Sequence, residues 1–307
     1  MLGLLDRRLV VVTGKGGVGK TTVAAALGLL AAREGKRVVL CEVSGQARLP
    51  ALFGLRRRDA AERRLAPGLT TVSIDPGGAR DEWLRRELRS ATVAGILGRA
   101  RIFQLLTAAA PGLAELVTIG KVWDLAGRGR LDAGAAYDLA ILDGPATGQG
   151  LALLTAPRTY ATVARVGPIH RQALGIDAFL RDRTRTAVLG VAWPEEMPVN
   201  ETLDLEARLN DEGLAIDAVV VNGLHPERFS RADVTAMRAL ASELPRQLQA
   251  AVRLALSEHE RARAQGSEVR RLRQGLAAPV SSLPFLFEPE VGPDELDLLS
   301  RELAGPS

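Results

Sequence analysis

Short apolar runs alternate along this chain with longer stretches whose apolar positions recur every three or four residues. The runs LVVVT (9–13), RVVLCE (37–42), LTTVSID (69–75), LAILDG (139–144), TAVLGVAW (186–193), AIDAVVVNG (215–223) and PVSSLPFL (279–286) read as strands. Several are apolar throughout, as strands covered on both faces must be. Helical stretches lie between them, so the pattern predicts an α/β fold: a mostly parallel sheet flanked by helices.

Local signals punctuate the helices. NETLDLEARLNDEG offers Asn200 as an N-cap and Gly213 as a stop. Ser230 with Asp233 resembles a capping box that opens a helical stretch running towards Gly275, broken near Pro245. Residues 76–137 carry no strand signal. There DEWLRRELRSATVAGILGR places Trp83, Leu84, Leu88 and Ile96 close to helical spacing, and Pro111-Gly112 separates it from LAELVTIGKVWDLAGRGR. This predicts a helical insertion subdomain at 76–137 within one domain spanning 1–307, although 307 residues would also accommodate two domains.

Composition adds few constraints. The chain is 47% hydrophobic and 25% charged, ordinary for a folded protein. A net charge of +4 is small for this length, and no Lys/Arg block suggests a nucleic-acid tail. The densest basic stretches, LRRRDAAERR (55–64) and RARAQGSEVRRLRQG (261–275), are interleaved with acids and read as solvated helix faces. One cysteine, Cys41, excludes a disulfide framework, a CxxC zinc site and a cysteine-ligated iron–sulfur cluster within one chain, and its place in VVLC marks it as a buried thiol. With no signal-peptide pattern and no apolar run near 18 residues, the expectation is a cytoplasmic protein.

The chemistry concentrates at GKGGVGKTT (14–22). Gly14, Gly19, Lys20 and Thr21 meet the pattern G-x-x-x-x-G-K-[ST], between a strand and the helical TTVAAALGLLAARE. Such a loop turns successive backbone N–H groups of Gly16, Gly17, Val18 and Gly19 towards a nucleotide phosphate, and the helix N-terminus at Lys20, Thr21 and Thr22 adds partial positive charge. Lys20 is expected on the β- and γ-phosphates of ATP or ADP and the Thr21 hydroxyl on Mg²⁺. Asp143, closing LAILD ahead of GPATGQG, fits the second Mg²⁺ oxygen of such a site, and the loop 144–150 fits a γ-phosphate sensor. Two of the chain's four lysines, Lys15 and Lys20, fall in this loop.

With Lys15, GKGGVGKTT is a deviant Walker A loop, and together with LDGPATGQ it resembles the ArsA-type ATPases, which include arsenite-pump ATPases and the factor that targets tail-anchored membrane proteins. PGLAELVTIGKVWDL, VVVNGLHP and SLPFLFEPEVG extend the resemblance over nearly the whole chain, and PATG, RVGPIHRQ and EEMPVNET are similar to ArsA-like ATPases of actinobacterial type. The resemblance implies a dimer of identical or paralogous chains, in which Lys15 reaches the partner's phosphates and adds a cation as charge develops. It also implies adenine contacts from Asn222 and a segment around Pro284 and Phe285. Asn-Gly is equally a turn pair and the Pro-Phe segment equally core, so both alternatives stand.

Departures from the pattern matter as much. The family's first switch reads D-P-A-H, and in VVLCEVSGQ the best register sets Ser44 at its Asp. Serine is no general base near neutral pH. Glu42, two residues earlier on the same side of an extended chain, is either its replacement or a plain strand-end acid. Slow hydrolysis is the expected consequence. A single cysteine also cannot form a multi-thiol arsenite sensor or the targeting factor's CxxC, and three methionines make no methionine-rich client groove. Trp83, Ile96, Leu97, Ile102, Phe103, Leu105 and Leu106 in the insertion read as helix packing ahead of a client groove.

Three functions follow: a Mg²⁺-dependent ATPase acting on a protein client or membrane partner, a non-hydrolysing ATP-gated subunit of a heterodimer, and a MinD- or ParA-like positioning ATPase. The net acidic ending PDELDLLSRELAGPS disfavours a basic membrane helix of the MinD kind.

Overall fold

Every run read as a strand pairs into one sheet in the computed structural model, which describes residues 1–43, 48–55, 62–79, 112–127 and 136–305. In chain order the strands are β1 (Leu9–Gly14), β2 (Val38–Val43), β3 (Glu62–Ala66), β4 (Leu69–Ile74), β5 (Leu139–Ala146), β6 (Thr186–Ala192), β7 (Ala218–Leu224) and β8 (Val280–Pro284). Their spatial order is β3-β4-β2-β5-β1-β6-β7-β8, parallel throughout except for the antiparallel β3–β4 pair.

β1 and β6 are buried end to end because helices cover both faces. Alternation divides β1 between two cores, Leu9 and Val11 in one, Val10 and Val12 in the other. The second core is closed by α1 (Leu2–Leu5), α2 (Lys20–Arg33), α3 (Arg48–Leu52) and the last helix, Pro293–Ala304. Opposite lie α4 (Leu113–Leu125), α5 (Thr147–Ala164), α6 (Pro168–Arg181), α7 (Glu196–Asp211) and the long helix Arg246–Gly275, which follows Arg231–Leu240. Ile119 and Val122 of α4 are fully buried against the sheet, each worth roughly 1.5–3 kcal/mol by burial. The later part of the 76–137 segment is therefore a layer helix of the main core. Residues 80–111 and 128–135, with the apolar set from Trp83 to Leu106, lie outside the described residues.

Two expectations need correction. Part of the basic stretch 55–64 is an edge strand rather than a helix face: Glu62 and Arg64 pair across to Val72 and Thr70. Charged residues suit an unpaired sheet edge, and that strand was hidden because its apolar residues are so few. Asn200 is inside α7, which opens at Glu196 with Glu195 as N-cap. Pro198 sits in the first turn, where its missing N–H would have had no intrahelical partner, so the helix begins before it. Asn200 instead accepts a hydrogen bond from Arg271 on the long helix. The Ser230–Asp233 capping box, the break at Pro245 and the left-handed Gly213 are as the sequence predicts. Cys41 is fully buried, its thiol pushed up to about 12 by that burial.

Candidate active site

The chain leaves β1 for β2 on one side, while β6, β7 and β8 build outwards on the other. Strand order thus reverses beside β1, and a crevice opens at the carboxyl ends of the strands, where α/β sheets bind ligands. The loop Lys15–Gly19 lies at that point. Gly14 holds φ +147, and a Cβ there would stand 2.1 Å from the Val191 carbonyl oxygen, so only glycine lets the loop leave β1 against β6. Gly19 holds φ +88 as the N-cap of α2, with the Asn222 side-chain nitrogen 2.2 Å from where its Cβ would be.

Between these two glycines the loop surrounds an open cavity of about 830 Å³ lined by Gly16, Gly17, Gly19, Lys20, Thr21, Thr22, Glu42, Arg48 and Asp143, among others. A Cβ on Gly16 or Gly17 would meet nothing within 4 Å, which is the space a phosphate needs. Val18 turns the other way and is buried. Lys20 Nζ donates to the carbonyls of Gly14 (3.1 Å) and Lys15 (2.8 Å), so the side chain curls back over its own loop. Its pKa is lowered chiefly by burial, a shift that Asp143 opposes.

Two hard oxygens meet below the loop. Thr21 Oγ1 donates to Asp143 Oδ2 at 2.6 Å, while Asp143 Oδ1 is buried and accepts no hydrogen bond from the described residues. Burial pushes the Asp143 carboxyl up to about 6; the Thr21 hydrogen bond lowers it and the neighbouring Glu42 charge raises it. An orphaned carboxylate oxygen beside a hydroxyl fits a magnesium ion, which takes few protein ligands and keeps waters. Among the described residues no cluster of three or more His, Cys, Asp or Glu could hold a metal.

Glu42 lies opposite Asp143 in the β2–β5 register and is buried, and its Oε1 accepts the Arg48 N–H at 2.8 Å. Ser44 falls outside the described residues. Asn222 is part of the loop's foundation, donating from Nδ2 to the Val18 carbonyl at 3.1 Å. Pro284 ends β8 in register with Leu224, and the next residue, Phe285, stacks on His225 at 4.2 Å with Trp193 edge-on at 6.3 Å. These rings form a wall by a separate cavity of about 670 Å³.

The sequence reading missed Glu201. Lys15 Nζ pairs with Glu201 Oε1 at 2.6 Å, and Glu201 Oε2 accepts from Thr147 Oγ1 at 3.3 Å. One carboxylate of α7 thereby ties the second lysine of the phosphate loop to the first residue of the helix that follows Asp143. Its position in EEMPVNET was the available signal, but nothing local distinguishes it from the segment's other acids.

Known proteins resemble the chain over most of its length. The sequence model of the family described as anion-transporting ATPase matches residues 7–173 and 169–249. The chain is 31% identical to the ATPase BagA of Mycobacterium tuberculosis over 232 residues, covering 74% of this chain and 68% of that protein. It is 29% identical over 245 residues to the arsenical pump-driving ATPase of Acidiphilium multivorum, covering 73% of this chain and 40% of that protein. To the ATPase GET3 of Phaeosphaeria nodorum it is 28% identical over 257 residues, 71% of this chain and 76% of that protein.

Proposed function

The chain belongs to the anion-transporting ATPase family, the ArsA-type ATPases, and from that premise we propose that it is a Mg²⁺-dependent ATPase whose paired chains change partner affinity with nucleotide state. The observation that carries this reading is the Thr21–Asp143 pair beneath the phosphate loop, with one carboxylate oxygen left without a partner. In it Thr21 and Asp143 hold Mg²⁺, which when bound screens the β- and γ-phosphate charge. The loop amides and Lys20 bind those phosphates and release the carbonyls that Lys20 now engages. Chemistry is in-line attack of water on the γ-phosphate, giving ADP and phosphate.

Lys15 is the residue that couples turnover to dimerisation. To reach a partner's nucleotide it must leave Glu201, whose other oxygen holds Thr147 at the junction of β5 and α5. Dimer closure thereby bears on the 144–150 segment through one carboxylate. Glu42 is the candidate to position the attacking water, although one of its oxygens is engaged by Arg48. That engagement favours slow hydrolysis and supports the second reading, an ATP-gated subunit that relies on a paralogous chain for turnover.

Arsenical recognition, suggested by one relative's name, finds little support: the single thiol, Cys41, is fully buried. A protein client or membrane partner and a cytoplasmic location go with the ATPase reading; among the described residues no helix is long and apolar enough to cross a membrane.

Steady-state hydrolysis with and without Mg²⁺, run beside sedimentation in ATP and in ADP, tests the proposal. Magnesium-dependent turnover that Lys15→Ala abolishes, together with ATP-promoted dimers, is expected. A turnover of about 1–10 per second from the homodimer would overturn the slow-site argument, and failure to bind ATP would overturn the whole reading.

A further inference from the structure

Away from the phosphate loop, the helices Arg231–Leu240 and Arg246–Gly275 face each other across a cleft of about 550 Å³. Arg231 and Arg238 reach it from the shorter helix, three residues to either side of the Val234–Thr235 pair that also lines it. His259, Glu260, Arg263 and Arg270 reach it from the longer one, at spacings that share a helical face.

The charges on this face are unbalanced in a way their neighbours are not. On the longer helix, Arg261 and Arg271 point elsewhere, and each meets an acid three residues earlier, Glu258 and Glu268. The guanidinium groups of Arg263 and Arg270, in the cleft, have no hydrogen-bond or ion-pair partner among the described residues, and neither has that of Arg231. Among the described residues the one carboxylate lining the cleft, Glu260, is engaged by Arg238 at 3.2 Å. Glu227 approaches the flank at Gly266 without pairing with Arg270. His259 also lines the cleft at 7% exposure, and its Nδ1 is buried with no partner among the described residues. That leaves one unsatisfied polar atom in the wall of the cleft.

We propose that this cleft is a binding site for a phosphate-monoester anion. Guanidinium groups present paired N–H donors that match tetrahedral oxyanions, and clustered guanidiniums without a counter-charge repel one another until an anion arrives. The phosphate belongs either to a soluble phosphorylated molecule or to a lipid headgroup. The site is distinct from the nucleotide cavity, with which it shares no lining residue among the described residues. It does share Ala264 and Ser267 with the cavity beside His225 and Phe285, so the long helix touches both.

The test uses the full chain with its phosphate loop saturated by ADP and Mg²⁺. One arm titrates inorganic phosphate and pyrophosphate by calorimetry while following the His259 ring nitrogens by NMR. The other measures co-sedimentation with phosphatidylcholine vesicles with and without phosphatidic acid. Saturable binding in either arm is expected, with His259 shifts in the first, and the arm that binds tighter identifies the source. Arg263→Ala with Arg270→Ala should weaken it about tenfold or more, and the corresponding Lys pair less, while ADP affinity stays unchanged. Both arginines are exposed, so neither variant threatens the fold. No saturable binding in either arm, or binding that ignores both variants, overturns the proposal; retained ADP affinity keeps that outcome separate from any failure of the ATPase reading.

Discussion

Replacing Asp143 with Asn should stabilise the nucleotide-free protein, and the gain should shrink as the pH falls. Asp143 has its carboxyl pushed up to about 6, first by burial and then by the Glu42 charge, against an ordinary value of 3.8. A carboxyl raised on folding binds more protons in the native state than in the unfolded one between those two values. Its protonated form therefore supports the fold fully below the unfolded pKa, and the support is lost as pH rises through the folded one. With a shift of about two units, the ionised side chain costs the native state about 3 kcal/mol at pH 7 and only about 0.6 kcal/mol at pH 4. An amide cannot ionise, and its oxygen can still accept from Thr21, so Asp143→Asn removes this cost. Urea unfolding of both proteins, without nucleotide or Mg²⁺, should show the variant more stable by about 2–3 kcal/mol at pH 7 and by less than about 1 kcal/mol at pH 4. Carboxylates common to both proteins cancel in the comparison. Equal gains at the two pH values, or destabilisation at pH 7, would refute the assignment of Asp143 as a desolvated carboxylate held in reserve for a cation.

The same carboxyl must be ionised to hold Mg²⁺, so Mg²⁺-dependent ATP affinity measured with a fluorescent nucleotide should be about tenfold weaker at pH 5 than at pH 8. Glu201→Gln should leave stability within about 1 kcal/mol, since its pair with Lys15 is partly exposed, yet strengthen ATP-driven dimerisation measured by sedimentation. An unchanged dimer constant would show that Glu201 does not restrain Lys15. Gly14→Ala combines φ +147 with a Cβ 2.1 Å from the Val191 carbonyl oxygen, and thermal unfolding should report a loss of more than about 2 kcal/mol. Asn222→Ala should cost about 1 kcal/mol by freeing the Val18 carbonyl. If ATP and GTP affinities fall together, Asn222 is a buttress of the loop; if ATP alone weakens, it reads the base.

How much of the site was legible follows from distance along the chain. Gly14 to Thr22 are consecutive, and the demands on them are local: positive φ at glycines, a helix N-terminus, and a lysine that curls back over five or six residues. Asp143 was legible because a parallel strand delivers its carboxyl-terminal residues to the same edge as the phosphate loop. Asn222 was singled out by resemblance as an adenine contact, and in the structure it donates to the Val18 carbonyl and packs against Gly19. Glu201 was not found, because an acid in the second turn of a helix has no local mark when its partner is 186 residues away. The edge strand Glu62–Ala66 escaped for the opposite reason, since it exists only by pairing with β4 and has little apolar pattern of its own.

The sequence by itself determined the strands that form the parallel sheet, the α/β class, the phosphate loop and the caps at Ser230 and Gly213. Each of these rests on backbone sterics and hydrophobic periodicity within a short window. Only the tertiary structure decided that the strand order reverses beside β1, that Thr21 meets Asp143 across 122 residues, and that one glutamate joins Lys15 to Thr147. Those contacts are fixed by which crossovers bury both faces of the sheet, a condition on the whole chain that no local pattern carries.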